Sequence, residues 1–164
     1  GLLTTSREGD GIAMDFPADP PAEIPQPAGL EEAMGAAPSW VGRGRHKVLY
    51  VLESEARLRA LAPDQALLAG LDVGGVIATA PAAGPEYDFV SRFFAPAMGV
   101  PEDPVTGSAH CCLAPYWAER LGRTSLRGFQ ASRRGGLVAM EIRGERVELG
   151  GRAVTVLEGH LRGG

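Results

Sequence analysis

The spacing of apolar and polar positions changes period several times along the chain. Near the start, Ile12, Met14 and Phe16 alternate with Ala13 and Asp15. With residues 2–6 before them and Gly9-Asp10-Gly11 as the turn, this predicts a β-hairpin. Strands are predicted at 47–52 and 87–95, and the apolar run at 73–80 predicts a strand of the core type. Short helices are predicted at 30–35, at 55–61 behind the cap residue Ser54, and at 65–68 behind Pro63-Asp64. Further strands are predicted at 40–41 (followed by a turn at 42–45), 125–131, 137–142, 146–149 and 153–157. Gly135-Gly136, Gly144-Glu145 and Gly150-Gly151 punctuate the last four. Residues 109–121 differ from all of these. Ala109, Cys111, Cys112, Leu113, Ala114, Tyr116, Trp117, Ala118 and Leu121 leave no polar face, so this helix is expected to be buried. Pro115 inside it removes one hydrogen bond and should kink it, and Gly122 ends it. Strands around one buried helix imply an α+β fold, with a mostly antiparallel sheet curled around that helix.

Composition changes the picture at one place. Residues 17–27 hold five prolines (17, 20, 21, 25 and 27), which exclude a helix or a central strand. They are expected to be an inter-domain linker, with a surface loop as the alternative. The chain is 164 residues long, enough for one domain or one domain with part of another. Its 23 glycines and 13 prolines favour turns and short strands. The net charge of −4 speaks against nucleic acid as a partner, although nine arginines face five glutamates in residues 119–164. Cys111 and Cys112 are adjacent, a poor arrangement for a disulfide, and no metal-ligand spacing is present. No apolar run approaches the roughly 18 residues of a membrane span, and no signal pattern opens the chain. The expectation is a reduced, cytoplasmic protein with no membrane partner, no metal and no cofactor.

The candidate chemistry gathers between the strand at 87–95 and the buried helix. A turn, Gly99-Val100-Pro101, precedes Glu102-Asp103-Pro104, then Thr106-Gly107-Ser108 and the helix. Hydroxyls and a glycine before a helix suggest an N-cap whose N–H groups remain open to an anion. Asp103 could be a general acid or base at a carbon near a carboxylate, or merely a turn acceptor before proline. The residues alone favour the turn. Glu102 is expected to be a solvated neighbour. His110, in the first helical turn, is expected to be neutral and structural. Cys111 and Cys112 are expected to pack. Gln130 to Gly136 is expected to be a structural turn, with Arg133 or Arg134 available to an anion.

The stretch EDPVTGSAHCCLAPYW, with FQASRRGG and VTVLEGHL further on, resembles the phenazine-biosynthesis isomerase-like (PhzF-like) family. That resemblance implies the diaminopimelate-epimerase fold and a cofactor-independent isomerase or epimerase. It implies Asp103 as one proton-transfer group, with Gly107, Ser108 and Thr106 lining the site of a small carboxylate-bearing substrate. The founding member's substrate is a dihydro-hydroxyanthranilate. The family's first domain supplies a glutamate and a histidine in a Gly-His-Ala motif, and neither is found in this chain. The expectation is therefore a C-terminal part of a longer, homodimeric enzyme, inactive alone. Residues 1–16 would end a truncated N-terminal domain, 17–27 would be the linker, and 28–164 would form the C-terminal epimerase-like domain. The alternative is a non-catalytic anion-binding or pairing domain.

Overall fold

The computed structural model of the chain describes residues 3–9 and 11–160. Its strands are β1 (Thr4–Glu8), β2 (Gly11–Pro17), β3 (Ala22–Glu23), β4 (Trp40–Arg43), β5 (Val48–Val51), β6 (Val76–Pro81), β7 (Phe89–Phe94), β8 (Ser125–Gln130), β9 (Gly136–Arg143) and β10 (Arg146–Gly151). Its helices are α1 (Leu30–Met34), α2 (Glu55–Arg59), α3 (Gln65–Ala69) and α4 (Gly107–Leu121). All the described strands join one sheet, in the order β1-β2-β10-β9-β8-β7-β6-β5-β4-β3. The sheet is mixed: β5 with β6 and β7 with β8 are parallel, and the other pairs are antiparallel.

The two parallel pairs decide where the helices go. The β5-to-β6 and β7-to-β8 connections both step the same way across the sheet, but β5 and β7 run in opposite directions. Crossovers of one hand then put their helices on opposite faces. The cores follow that division. Val48, Tyr50, Leu52, Val76, Ala78, Val90 and Phe94 pack with α1, α2 and α3. Leu49, Val51, Ile77, Phe89 and Phe93 pack on the other face, in one cluster with α4, Leu126, Met140 and Leu149. Residues 48–52 are therefore apolar at every position because both sides are covered.

α4 runs unbroken through Pro115. Proline has no N–H to give the carbonyl four residues back, which is that of Cys111. Asp19 supplies the missing donor: its N–H reaches the Cys111 oxygen at 3.0 Å. The flanking Ala18 N–H bonds Glu145 O at 2.8 Å, and Asp19 Oδ1 accepts from the Arg45 N–H at 2.8 Å. The stretch after β2 thus passes over α4 and ties the β9–β10 turn to the β4–β5 turn.

Several elements differ from the pattern-based expectation. The strand expected at 153–157 is absent, and Val154, Val156 and Leu157 stand 85%, 91% and 87% exposed. It cannot add to β10, the strand that precedes it, because β10 is already bonded on both sides, to β2 and β9. Gly42 and Arg43 extend β4 instead of turning. The Pro-rich stretch contributes a two-residue edge strand, β3, which edge position permits. Of the hairpin, Leu2 and Asp10 lie outside the described residues, and β1 and β2 pair as expected.

Candidate active site at the start of the buried helix

β7 leads into the site through a one-turn 3-10 helix, Pro96–Met98, closed by Gly99 at φ 77°. The chain then doubles back, and the Asp103 N–H bonds the Phe93 carbonyl at 3.0 Å. Glu102 is not a solvated neighbour. Arg92 grips it with two bonds, Nε to Oε1 at 2.7 Å and Nη2 to Oε2 at 3.0 Å. Arg92 Nη1 also donates to the carbonyls of Leu61 (2.7 Å) and Leu58 (3.3 Å), and the guanidinium lies over the Phe94 ring. This fork matches carboxylate geometry, so the pair holds the Glu102 carboxylate on Arg92.

Asp103 is half-buried, and its Oδ2 accepts from the Thr106 hydroxyl. That commitment explains why Thr106, at the N-cap position of α4, makes no side-chain cap. Thr106, expected to line the substrate site, is buried, with its hydroxyl turned towards Asp103. Gln130, at the end of β8 and fully buried, braces this turn. Its Oε1 accepts from the Thr106 N–H at 2.8 Å, and its Nε2 donates to Asp103 O at 2.7 Å and Thr106 Oγ1 at 3.2 Å. The loop behind it closes in the same way. Ser132 Oγ donates to Pro104 O at 2.7 Å and accepts from Gly135 N at 3.1 Å. A Cβ on Gly136 would stand 2.5 Å from Val105 Cγ2, so the two loops touch there only because residue 136 is glycine.

Gly107 and Ser108 open α4 and are exposed. The Thr106 carbonyl already takes the N–H groups of Ala109 (3.2 Å) and His110 (3.3 Å). Among the described residues, no acceptor takes those of Gly107 and Ser108. Two amide donors therefore point out of a helix N-terminus next to a carboxylate, an arrangement suited to holding an anionic group beside Asp103.

His110 is fully buried, and burial pushes its pKa down to about 4. Its Nδ1 lies 2.8 Å from the Thr106 carbonyl, an acceptor only, so Nδ1 carries the proton of a neutral ring. Its Nε2 and the Ser91 hydroxyl are buried and find no hydrogen-bond partner among the described residues. Both cysteines are free and buried. Burial first, and the nearby Asp19 charge second, raise the Cys111 thiol to about 11 and the Cys112 thiol to about 12. Both stay protonated at neutral pH and pack, as expected. Arg133 and Arg134 are exposed and line a groove of about 510 Å³ with Pro101, Glu102, Pro104 and Ser132. A larger groove, about 630 Å³, includes Trp40, Tyr116 and Arg120 but none of the site residues.

Gln130 is the participant that motif reading passed over. A signal for it was present: Leu126, Gly128 and Gln130 alternate along β8, and the inward face they define ends on a polar side chain. A buried amide must find partners, and these are Thr106 and Asp103.

The fold and site define an α+β protein with a carboxylate poised beside open helix N–H groups. The chain belongs to the phenazine biosynthesis-like protein family, whose profile matches residues 14–159. It is 47% identical to an uncharacterized isomerase of Halalkalibacterium halodurans over 98% of this chain and 61% of that one. An uncharacterized isomerase of Pseudomonas aeruginosa is 51% identical over 99% of this chain and 61% of its own. The crystal structure of an Enterococcus faecalis PhzF-family protein superposes with a TM-score of 0.85 at 38% identity, covering 90% of this chain and 56% of that one. The chain thus spans about three fifths of the length of these curated relatives. Among the described residues, no helix is long and apolar enough to cross a membrane.

Proposed function

We propose that this chain provides one half of a cofactor-independent isomerase or epimerase site, in which Asp103 moves a proton at a carbon next to a substrate carboxylate. The observation that carries this is the pair of unclaimed N–H groups, Gly107 and Ser108, at the start of a helix whose N-cap residue, Thr106, holds the Asp103 carboxylate. A carboxylate bound there would place its neighbouring C–H near Asp103. The amides would also stabilise the negative charge that develops on the carboxylate as the proton leaves. The relatives named as isomerases support the reaction class. The similarity to solved PhzF-family structures supports a diaminopimelate-epimerase-like arrangement, with the sheet curled around α4. In this reading residues 28–164 are the domain bearing Asp103, reached from 1–16 through 17–27. The opposing acid/base groups come from a further domain, the assembly is a homodimer in a reducing cytoplasm, and the chain alone turns over little.

The test is exposure of the protein to small carboxylic acids in deuterium oxide, dihydro-hydroxyanthranilate among them. Isomerisation or deuterium uptake at the carbon beside the carboxylate is expected from the full relative-length protein, and little from residues 1–164. Saturable binding without either change in the full-length protein would replace the isomerase reading with an anion-binding one.

A further inference from the structure

We propose that Gln130 and Thr106 form a one-way hydrogen-bond chain that orients Asp103 and leaves Oδ1 as the oxygen that exchanges the proton. This rests on the isomerase reading of Asp103 and adds to it two positioning residues. The direction of the chain follows from donor and acceptor capacity. The Thr106 N–H can only donate, so the Gln130 atom it meets at 2.8 Å must be Oε1. The Gln130 NH2 group then faces Asp103 O at 2.7 Å and Thr106 Oγ1 at 3.2 Å, spending one proton on each. With its oxygen accepting from Gln130, the Thr106 hydroxyl turns its own proton to Asp103 Oδ2. Oδ2 is thereby occupied, while Oδ1 has no partner among the described residues.

The chain is anchored in the sheet rather than in solvent. Gln130 sits opposite Ser91, which sits opposite Thr79, in one row across β8, β7 and β6. All three are buried. Thr79 is fixed by its own bonds, donating to Val90 O at 2.8 Å and accepting from Trp117 Nε1 at 3.0 Å. The amide of Gln130 cannot swing out to water, because it lies at the end of a strand roofed by α4. An Asp on a loop would otherwise sample several rotamers. Here one is selected before any substrate arrives, which is what efficient proton transfer demands.

Four variants of the full relative-length protein test this: Thr106→Val, Thr106→Ser, Gln130→Met and Asp103→Asn. Each is assayed for kcat and KM on the acid found active in deuterium oxide. Thr106→Val should lower kcat roughly ten- to a hundredfold with KM little changed, since the anchoring N–H groups remain. Thr106→Ser should restore most of kcat, because it returns the hydroxyl but not the methyl group. Gln130→Met should behave as Thr106→Val. Should Gln130→Met fail to fold, the Thr106 pair still decides. A second readout needs no substrate: the Thr106 hydroxyl proton should appear as a slowly exchanging NMR signal with a cross-peak to the Gln130 amide, and should be lost in Gln130→Met. If Asp103→Asn is dead while Thr106→Val keeps wild-type kcat, or the hydroxyl proton shows no contact with Gln130, the orienting chain is overturned and the isomerase reading stands. If Asp103→Asn keeps full turnover, both fall together.

Discussion

Gly107 separates function from stability at a single position. Its φ is not positive, and an added Cβ would meet only Leu149 Cδ1, at an ordinary 3.7 Å. The chain's own packing therefore tolerates alanine there, but a methyl group would crowd the approach to the open N–H groups. Gly107→Ala should leave the melting temperature within about 2 °C of wild type while raising KM about tenfold or more for the carboxylate substrate. A large loss of stability with unchanged KM would contradict the anchoring role. His110 makes a different residue-scale prediction. Its folded pKa of about 4 lies below the unfolded value near 6.5. Between those values the unfolded chain binds more protons, so stability falls as pH drops from about 6.5 to about 4. The contribution is bounded at roughly 3 kcal/mol. Urea unfolding of His110→Leu should show a shallower acid loss than the wild type, and equal slopes would refute it. Asp103, Gly107 and Ser108 were visible in the sequence as a motif. The inward turn of Thr106 was not, because it depends on Gln130, 24 positions away.

At the scale of elements, hydrophobic period served well wherever one element buries itself. It located α4, β5, β6 and β7, while cap residues located the starts of α2 and α3. There Ser54 accepts from Arg57 N, and Asp64 from Ala66 N and Leu67 N. It failed where an element needs a partner, as at 153–157, whose pattern is a strand's but which joins no strand of the sheet. The proline in α4 also reads differently once Asp19 is seen donating to the carbonyl it leaves open. β7 and β8 meet tightly. A Cβ at Gly128 would stand 2.6 Å from the Phe89 ring, which is stacked on Trp117 at 5.6 Å and has nowhere to retreat. Gly128→Ala should cost about 1–3 kcal/mol of stability by overpacking, measured by chemical unfolding. A neutral result would mean that the ring has freedom the packing denies it.

At the scale of the molecule, sheet order could not be seen in the chain, because its key pairings are distant. β2 lies against β10, where Arg146 Nε meets Asp15 Oδ2 at 2.7 Å across 131 positions. Both cores share strands β5, β6 and β7, so neither face can open without stripping the other. Thermal unfolding should therefore show one transition, coincident by far-ultraviolet dichroism and by tryptophan fluorescence from the α4 side. Two separated transitions would contradict the shared-sheet account. The same sheet holds β7 and β8 side by side under α4, and at their junction Gln130 bonds both Thr106 and Asp103. The most direct measurement of the central claim is a comparison of wild type and Asp103→Asn in the full relative-length protein, for deuterium uptake at the carbon beside the substrate carboxylate and for substrate affinity. The account predicts uptake lower by about a hundredfold or more with affinity nearly unchanged. Undiminished uptake by Asp103→Asn would contradict it.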